Sequence, residues 1–193
     1  MKTFAGFLVL AGAVGCATAP KAVQLTRTTH NYTLSNGISV VHVEDHRLPT
    51  VAFTLRFAHG TDAETSETLG ASSFLTDLMT RGAGTRDAMA LAGAADKLGA
   101  HLGASVSRET LSVSINGLAE DASAMLALLA DVARRPTLAQ AEYERLVREY
   151  SAAYQSRRSR PKTLANHAIM RLLYGTDRMG RPGDGAPASL KQL

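Results

Sequence analysis

Six histidines and one cysteine are the side chains of this 193-residue chain best suited to bind a metal or attack a substrate. Cys16 has no second cysteine to pair with, so no disulfide framework can form. His42 and His46 are four apart, a spacing that on a helix would aim two imidazoles at one ion. They fall on and just after an alternating, strand-like segment, where that spacing stretches to about 13 Å. His30, His59, His101 and His167 stand singly, with no acidic or histidine neighbour at ligand spacing, and read as surface or satisfied polar residues. Ser72-Ser73 offers hydroxyl nucleophiles, but the G-x-S-x-G elbow and a placed His and Asp are missing. Asp77, flanked by Leu75 and Leu78, reads as a solvent- or cap-facing carboxylate, and Glu142, Glu144 and Glu149 as the polar stripe of an amphipathic helix. Arg157-Arg158-Ser159-Arg160 has only Tyr154 as an interleaved aromatic, which fits a solvated helix end rather than a nucleic-acid contact.

The elements that must position these groups follow from periodicity. Asn36-Gly37 between Tyr32-Thr33-Leu34-Ser35 and Ile38-Ser39-Val40-Val41-His42-Val43 is a hairpin signal. Beyond Pro49, Val51, Phe53, Leu55 and Phe57 alternate with Ala52, Thr54 and Arg56, which predicts a third strand with one buried face. Helices are expected over Glu67 to Thr80 and over Asp87 to Leu98, with Thr85 as a cap and Gly99 as the stop. Leu102, Ala104 and Val106, then Leu111, Val113 and Ile115, give two more strands joined through Arg108-Glu109-Thr110. Met125, Leu128, Leu129 and Val132 mark a helix from Asp121 that Pro136 closes, and two more helices are expected over Leu138 to Arg157 and Pro161 to Tyr174. Strands and helices without regular alternation imply an α+β fold, a two-layer sandwich of helices on a mostly antiparallel sheet.

With 45% hydrophobic and 20% charged residues and a net charge of +4, the chain is neither disordered nor collagen-like, and its length can bury a core without staples. Residues 1–16 read as a targeting segment: Lys2, then an uncharged run from Phe4 to Val14, too short to span a bilayer, which takes about 20 apolar residues. Ala13-Val14-Gly15-Cys16 resembles a bacterial lipobox, with Ala13 where that pattern prefers Leu. The resemblance implies that Cys16 is lipidated and becomes the mature N-terminus; the alternative is cleavage within Ala17-Thr18-Ala19. The sole cysteine standing where that chemistry needs it favours lipidation. Without Asp at position 17, the lipobox resemblance implies an outer-membrane lipoprotein on the periplasmic side of a bacterial envelope. Residues 17–29, polar and interrupted by Pro20, read as a tether, and residues 30–193 as the folded domain.

The order of elements and the local wording resemble the insulinase/pitrilysin zinc metallopeptidases, the inverted zincins that include mitochondrial processing peptidase and its inactive subunits. The resemblance rests on Tyr32 to Gly37, Gly60 with its acidic follow-on, Leu69-Gly70-Ala71, Leu98-Gly99-Ala100, Ala127 to Asp131, Arg135-Pro136-Thr137, Glu142 to Arg145 and Gly180-Arg181-Pro182. In active members H-x-x-E-H on the helix after the third strand supplies two zinc ligands and a general base, and a Glu farther on is the third ligand. On this sequence the first His falls on Ser73, the Glu on Thr76, the second His on Asp77 and the downstream ligand on Ala153. Glu149 is the nearest alternative carboxylate, one turn out of register. The family's Asn on the strand beyond the second helix falls on Gly103.

Zinc takes about four ligands from Cys, His or carboxylate, and this window offers only Asp77 beside two neutral hydroxyls. Loss of the general base alone costs on the order of 10² to 10⁴ in rate. The resemblance therefore implies a non-catalytic homologue, with no zinc expected, that pairs with an active peptidase subunit around a shared peptide chamber. An active peptidase with an unrecognised site and a structural lipoprotein scaffold are the other readings. Family domains of this type continue past Ser189-Leu190-Lys191 with a further helix and closing strand, so the resemblance also implies a domain incomplete at its C-terminus. Such a chain is either a fragment or a product whose last strand a partner supplies.

Overall fold

The computed structural model describes residues 27–180. Cys16 with the leader at 1–16, the tether up to residue 26, Arg181-Pro182 and Ser189 to Lys191 lie outside the described residues. The chain divides between Arg47 and Leu48 into two units.

The first unit is the hairpin of β1 (Thr28–Thr33) and β2 (Ser39–Glu44), antiparallel, with His30 opposite His42 and Thr28 opposite Glu44. Its turn forms where Asn36-Gly37 predicts one. Gly37 has φ of 86°, a left-handed conformation that strains any residue with a Cβ, and its N–H donates to Leu34 O at 2.9 Å. The two strands form a two-stranded sheet of their own.

In the second unit β3 (Thr50–Phe57), β6 (His101–Val106) and β7 (Leu111–Leu118) form an antiparallel sheet in the order β3-β7-β6. The register sets Phe53 and Leu102 on either side of Ile115, and Leu55 and Ala104 on either side of Val113. One face is thus apolar, as alternation demands, and it is covered by α2 (Ala88–Lys97) and α3 (Ala122–Arg134). Leu91, Met125, Leu128, Leu129 and Val132 complete that core with Leu111, Val113 and Ile115. The expected α+β layering of helix on antiparallel sheet is what the chain adopts. A smaller cluster of Phe74, Leu78 and Leu146 joins α1 (Ala71–Met79) to α4 (Gln140–Arg158), and α5 (Pro161–Tyr174) starts at its proline as predicted.

Three local expectations change. The helix expected from Glu67 begins at Ala71, because Gly70 has φ of 88° and Thr65 and Thr68 tie the preceding loop together through their hydroxyls. The cap of α2 is Asp87, whose carboxylate accepts from Ala90 N–H at 2.8 Å; Thr85 sits in a tight turn between β4 (Gly82–Ala83) and β5 (Arg86–Asp87). Two-residue strands carry too little alternation to be seen in a sequence. Leu138 lies at φ of 45°, so α4 starts at Gln140 rather than at Leu138. Among the described residues no helix is long and apolar enough to cross a membrane.

Candidate functional site

The candidate site is the seam between α1 and α4. α1 lacks a capping side chain of its own at Gly70, and the buried Glu64 supplies one from six residues upstream. Its two carboxylate oxygens accept from Gly70 N–H and Ser72 N–H, each at 2.8 Å. A carboxylate at this end also suits the helix dipole. The inward face of α1 carries Phe74, Thr76 and Leu78, which leaves Ser73 half-buried and Asp77 exposed, one turn apart on one side.

α4 meets this helix through Leu146, Tyr143 and Tyr150. Both tyrosine rings stand edge-on to Phe74, with centroids 5.3 Å away. The Tyr150 hydroxyl donates to Asp77 Oδ2 at 2.7 Å, and Arg81 Nη2 donates to Glu149 Oε2 at 3.2 Å. Arg145 approaches Glu142 at 3.1 Å and the other Glu149 oxygen at 3.5 Å.

Each position singled out from the sequence now has a neighbourhood. Thr76 is buried, and its hydroxyl donates to Ser73 O at 2.8 Å. Asp77 faces solvent as expected, but it is also the acceptor that ties α1 to α4. Ala153 is exposed on α4, one turn beyond Glu149, and offers only a methyl group. Glu149 belongs to an arginine-paired cluster rather than to a plain solvated stripe. Gly103 lies within β6, with nothing within 4 Å of where a Cβ would stand. Ser72 is buried, out of a substrate's reach. His59, His101 and His167 are exposed and lie on separate elements: the loop after β3, β6 and α5. Arg158 lies over the Tyr154 ring at 6.0 Å, consistent with a solvated helix end. His30 departs from expectation: it has a histidine across the hairpin, with ring centroids 5.9 Å apart, and Glu44 at 3.4 Å. Cross-strand register, invisible in sequence spacing, makes these neighbours.

Among the described residues no three His, Cys, Asp or Glu side chains are grouped so that they could hold a metal ion. The seam thus presents a half-buried hydroxyl, a hydroxyl spent on its own helix, a carboxylate engaged by a phenol, and a methyl group.

The sequence pattern of the insulinase family, peptidase family M16, matches residues 39–183. This chain belongs to the insulinase family. It is 31% identical over 131 residues to rat cytochrome b-c1 complex subunit 1, covering 68% of this chain and 27% of that protein. To the zinc protease YmxG of Bacillus subtilis it is 26% identical over 162 residues, covering 82% of this chain and 39% of the other. An inactive M16 peptidase domain from Pseudomonas fluorescens superposes with a TM-score of 0.77 at 24% identity, covering 86% of this chain and 42% of that one. A protease from Helicobacter pylori gives 0.78 at 16% identity, with 86% and 41% covered. The chain thus spans about a quarter to two fifths of the length of these two curated relatives.

Against the insulinase fold, Glu64 and Tyr150 are the residues that sequence reasoning missed. Glu64 was visible only as part of the acidic run after Gly60. Tyr150 was visible only as the last of Tyr143, Val147 and Tyr150 at helical spacing.

Proposed function

We propose that this chain is a non-catalytic insulinase-family domain that binds no zinc at the family position and works by pairing with an active peptidase subunit, helping to enclose or present a peptide. The observation that carries this reading is the use made of the motif positions. Thr76, where the general base would stand, donates its proton to a backbone carbonyl of its own turn. Asp77, the lone candidate ligand on α1, is engaged by Tyr150, and Ala153 has no donor. One carboxylate and two neutral hydroxyls do not meet zinc's need for about four ligands drawn from nitrogen, sulfur and carboxylate.

Pairing is supported by relatives that are named as subunits, among them rat cytochrome b-c1 complex subunit 1 and the mitochondrial-processing peptidase subunit beta of Lentinula edodes, 29% identical over 113 residues. We place the chain on the periplasmic side of a bacterial envelope, held by lipid on Cys16, on the strength of the leader alone.

The test is peptide hydrolysis and size-exclusion chromatography of the chain alone and mixed with an H-x-x-E-H-bearing family member from the same organism. The chain alone should not hydrolyse peptide, and the mixture should co-elute. Zinc-dependent hydrolysis by the chain alone that Asp77→Ala abolishes would overturn the reading, as would two components that never co-elute.

A further inference from the structure

α5 turns its apolar side outward. At about 100° per residue, Leu164, Ala165, Ala168, Ile169, Leu172 and Leu173 fall within one arc of about 180°. All of them are exposed, Leu172 and Leu173 most of all at 86% and 67%. The half-buried residues of the helix, Thr163 and Met170, stand on the opposite side, beside Asn166 and His167. A helix that belongs to a core buries its apolar stripe; among the described residues this stripe is left facing solvent. Charge is just as one-sided. From Tyr150 to Thr176 the chain carries Arg157, Arg158, Arg160, Lys162 and Arg171 and no Asp or Glu. The first four stand where α4 ends and α5 begins, at one end of the apolar arc, and Arg171 stands at its edge.

We propose that α5 is the docking helix of this chain, and that Leu164, Ile169, Leu172 and Leu173 seat in an apolar groove of the active peptidase subunit, with Asp or Glu of that subunit meeting the cations of the α4–α5 junction. The inference rests on the pairing reading given above and names the surface that does the pairing. Leu164, Ala168 and Leu172 recur every four residues, with Ile169 and Leu173 beside them, which is the spacing by which a helix fills a groove. The absence of acids from this stretch calls for an acidic partner. A second copy of the chain has none to offer here, so self-pairing through this face would bring like charges together. A lipid surface fits less well: a helix lying in a bilayer interface carries Lys and Arg along its polar side, whereas here Thr163, Asn166 and Tyr174 occupy that side and the cations gather at one end.

The test is calorimetric titration and surface-immobilised kinetics of the full chain against the H-x-x-E-H-bearing family member of the same organism. Every protein carries Cys16→Ala, so that no acyl chain contributes. Leu172→Ser with Leu173→Ser, a pair outside the buried core, should bind at least about tenfold more weakly, with an unchanged circular dichroism spectrum. Met89→Ser, which removes an equally exposed apolar residue from α2, should bind like the parent. Arg160→Gln with Lys162→Gln should slow association and flatten its dependence on salt while leaving dissociation nearly unchanged. A parent that does not bind brings down the pairing reading itself. A parent that binds while the leucine variant binds as tightly leaves pairing standing and overturns the docking helix, and equal salt dependence in the parent and the charge variant overturns its acidic counterpart. Leucine-dependent self-association in sedimentation, or leucine-dependent cosedimentation with phosphatidylglycerol vesicles, assigns the face to a second copy or to lipid and overturns the proposal as well.

Discussion

Asp77 and Tyr150 are 73 positions apart in sequence and 2.7 Å apart in space, and their hydrogen bond ties α1 to α4. Tyr150→Phe should lower unfolding free energy by about 1 kcal/mol. A double-mutant cycle with Asp77→Ala in urea denaturation should show the two losses to be non-additive, and strict additivity would mean that the bond contributes nothing. Asp131 offers a second test at this scale. The hydrogen bond from Arg135, joined by one from Arg86 at 3.0 Å, holds its carboxyl below the usual carboxylate range against the opposing effect of burial. A depressed folded-state pKa means that this stabilisation is present above the unfolded value of about 3.9 and is lost as pH falls through the folded value. Denaturation midpoints should therefore fall less steeply in Asp131→Asn than in the parent between about pH 5 and about pH 2. Equal slopes would show that Asp131 does not carry the effect.

At the scale of elements, α1 and α4 are joined by the Phe74, Leu78 and Leu146 cluster and by the Tyr150–Asp77 bond, which determines what rebuilding the motif would do. Ser73→His, Thr76→Glu and Asp77→His restore H-x-x-E-H on a helix whose i and i+4 residues share a face. The same changes put a carboxylate at buried Thr76 and break the bond to Tyr150. Thr76→Glu alone should destabilise by about 1–3 kcal/mol. The triple variant should bind zinc weakly, and adding Ala153→Glu should give near-stoichiometric binding, read by elemental analysis on samples whose fold is checked by circular dichroism. If the triple variant binds as tightly as the quadruple and Glu149→Ala abolishes it, the third ligand position is Glu149. Leu146, 1% exposed and packed against Phe74 and Leu78, is the hydrophobic counterpart of this seam. Leu146→Ala should cost about 2–5 kcal/mol by urea denaturation, the range for emptying a buried leucine site; a cost below about 1 kcal/mol would mean that the helices close over the gap.

For the whole molecule, the family assignment carries the fold, while the place of work rests on sixteen residues outside the described part. Cys16→Ala should move the protein from the membrane fraction to the soluble fraction of the cells that make it, because a lipid anchor is the only hold the leader reading supplies once the apolar run is removed. A single acyl chain binds membranes marginally, so firm retention of the parent presupposes several chains on that cysteine. Equal partition of the two proteins would replace lipidation by simple cleavage within Ala17-Thr18-Ala19.

The sequence alone determined the elements whose signals are local. Alternation over Val51 to Phe57 and Leu111 to Ile115, the Asn36-Gly37 turn, the 3.6-residue spacing of Met125, Leu128, Leu129 and Val132, and Pro161 at a helix start each depend on neighbours a few residues away. It also showed which motif residues are replaced, since Ser73, Thr76, Asp77 and Ala153 are read directly from their identities. It did not show what those residues do instead. Pairing Asp77 with Tyr150, bringing Glu64 back over Gly70 and Ser72, and setting His30 opposite His42 all join residues brought together by register or helix packing. Such contacts form only once buried apolar faces have fixed how the elements lie, and a one-residue slip in β1 would turn His30 to the opposite face of the hairpin. Tertiary structure therefore decided how the seam is fastened and which side chains face each other across the hairpin.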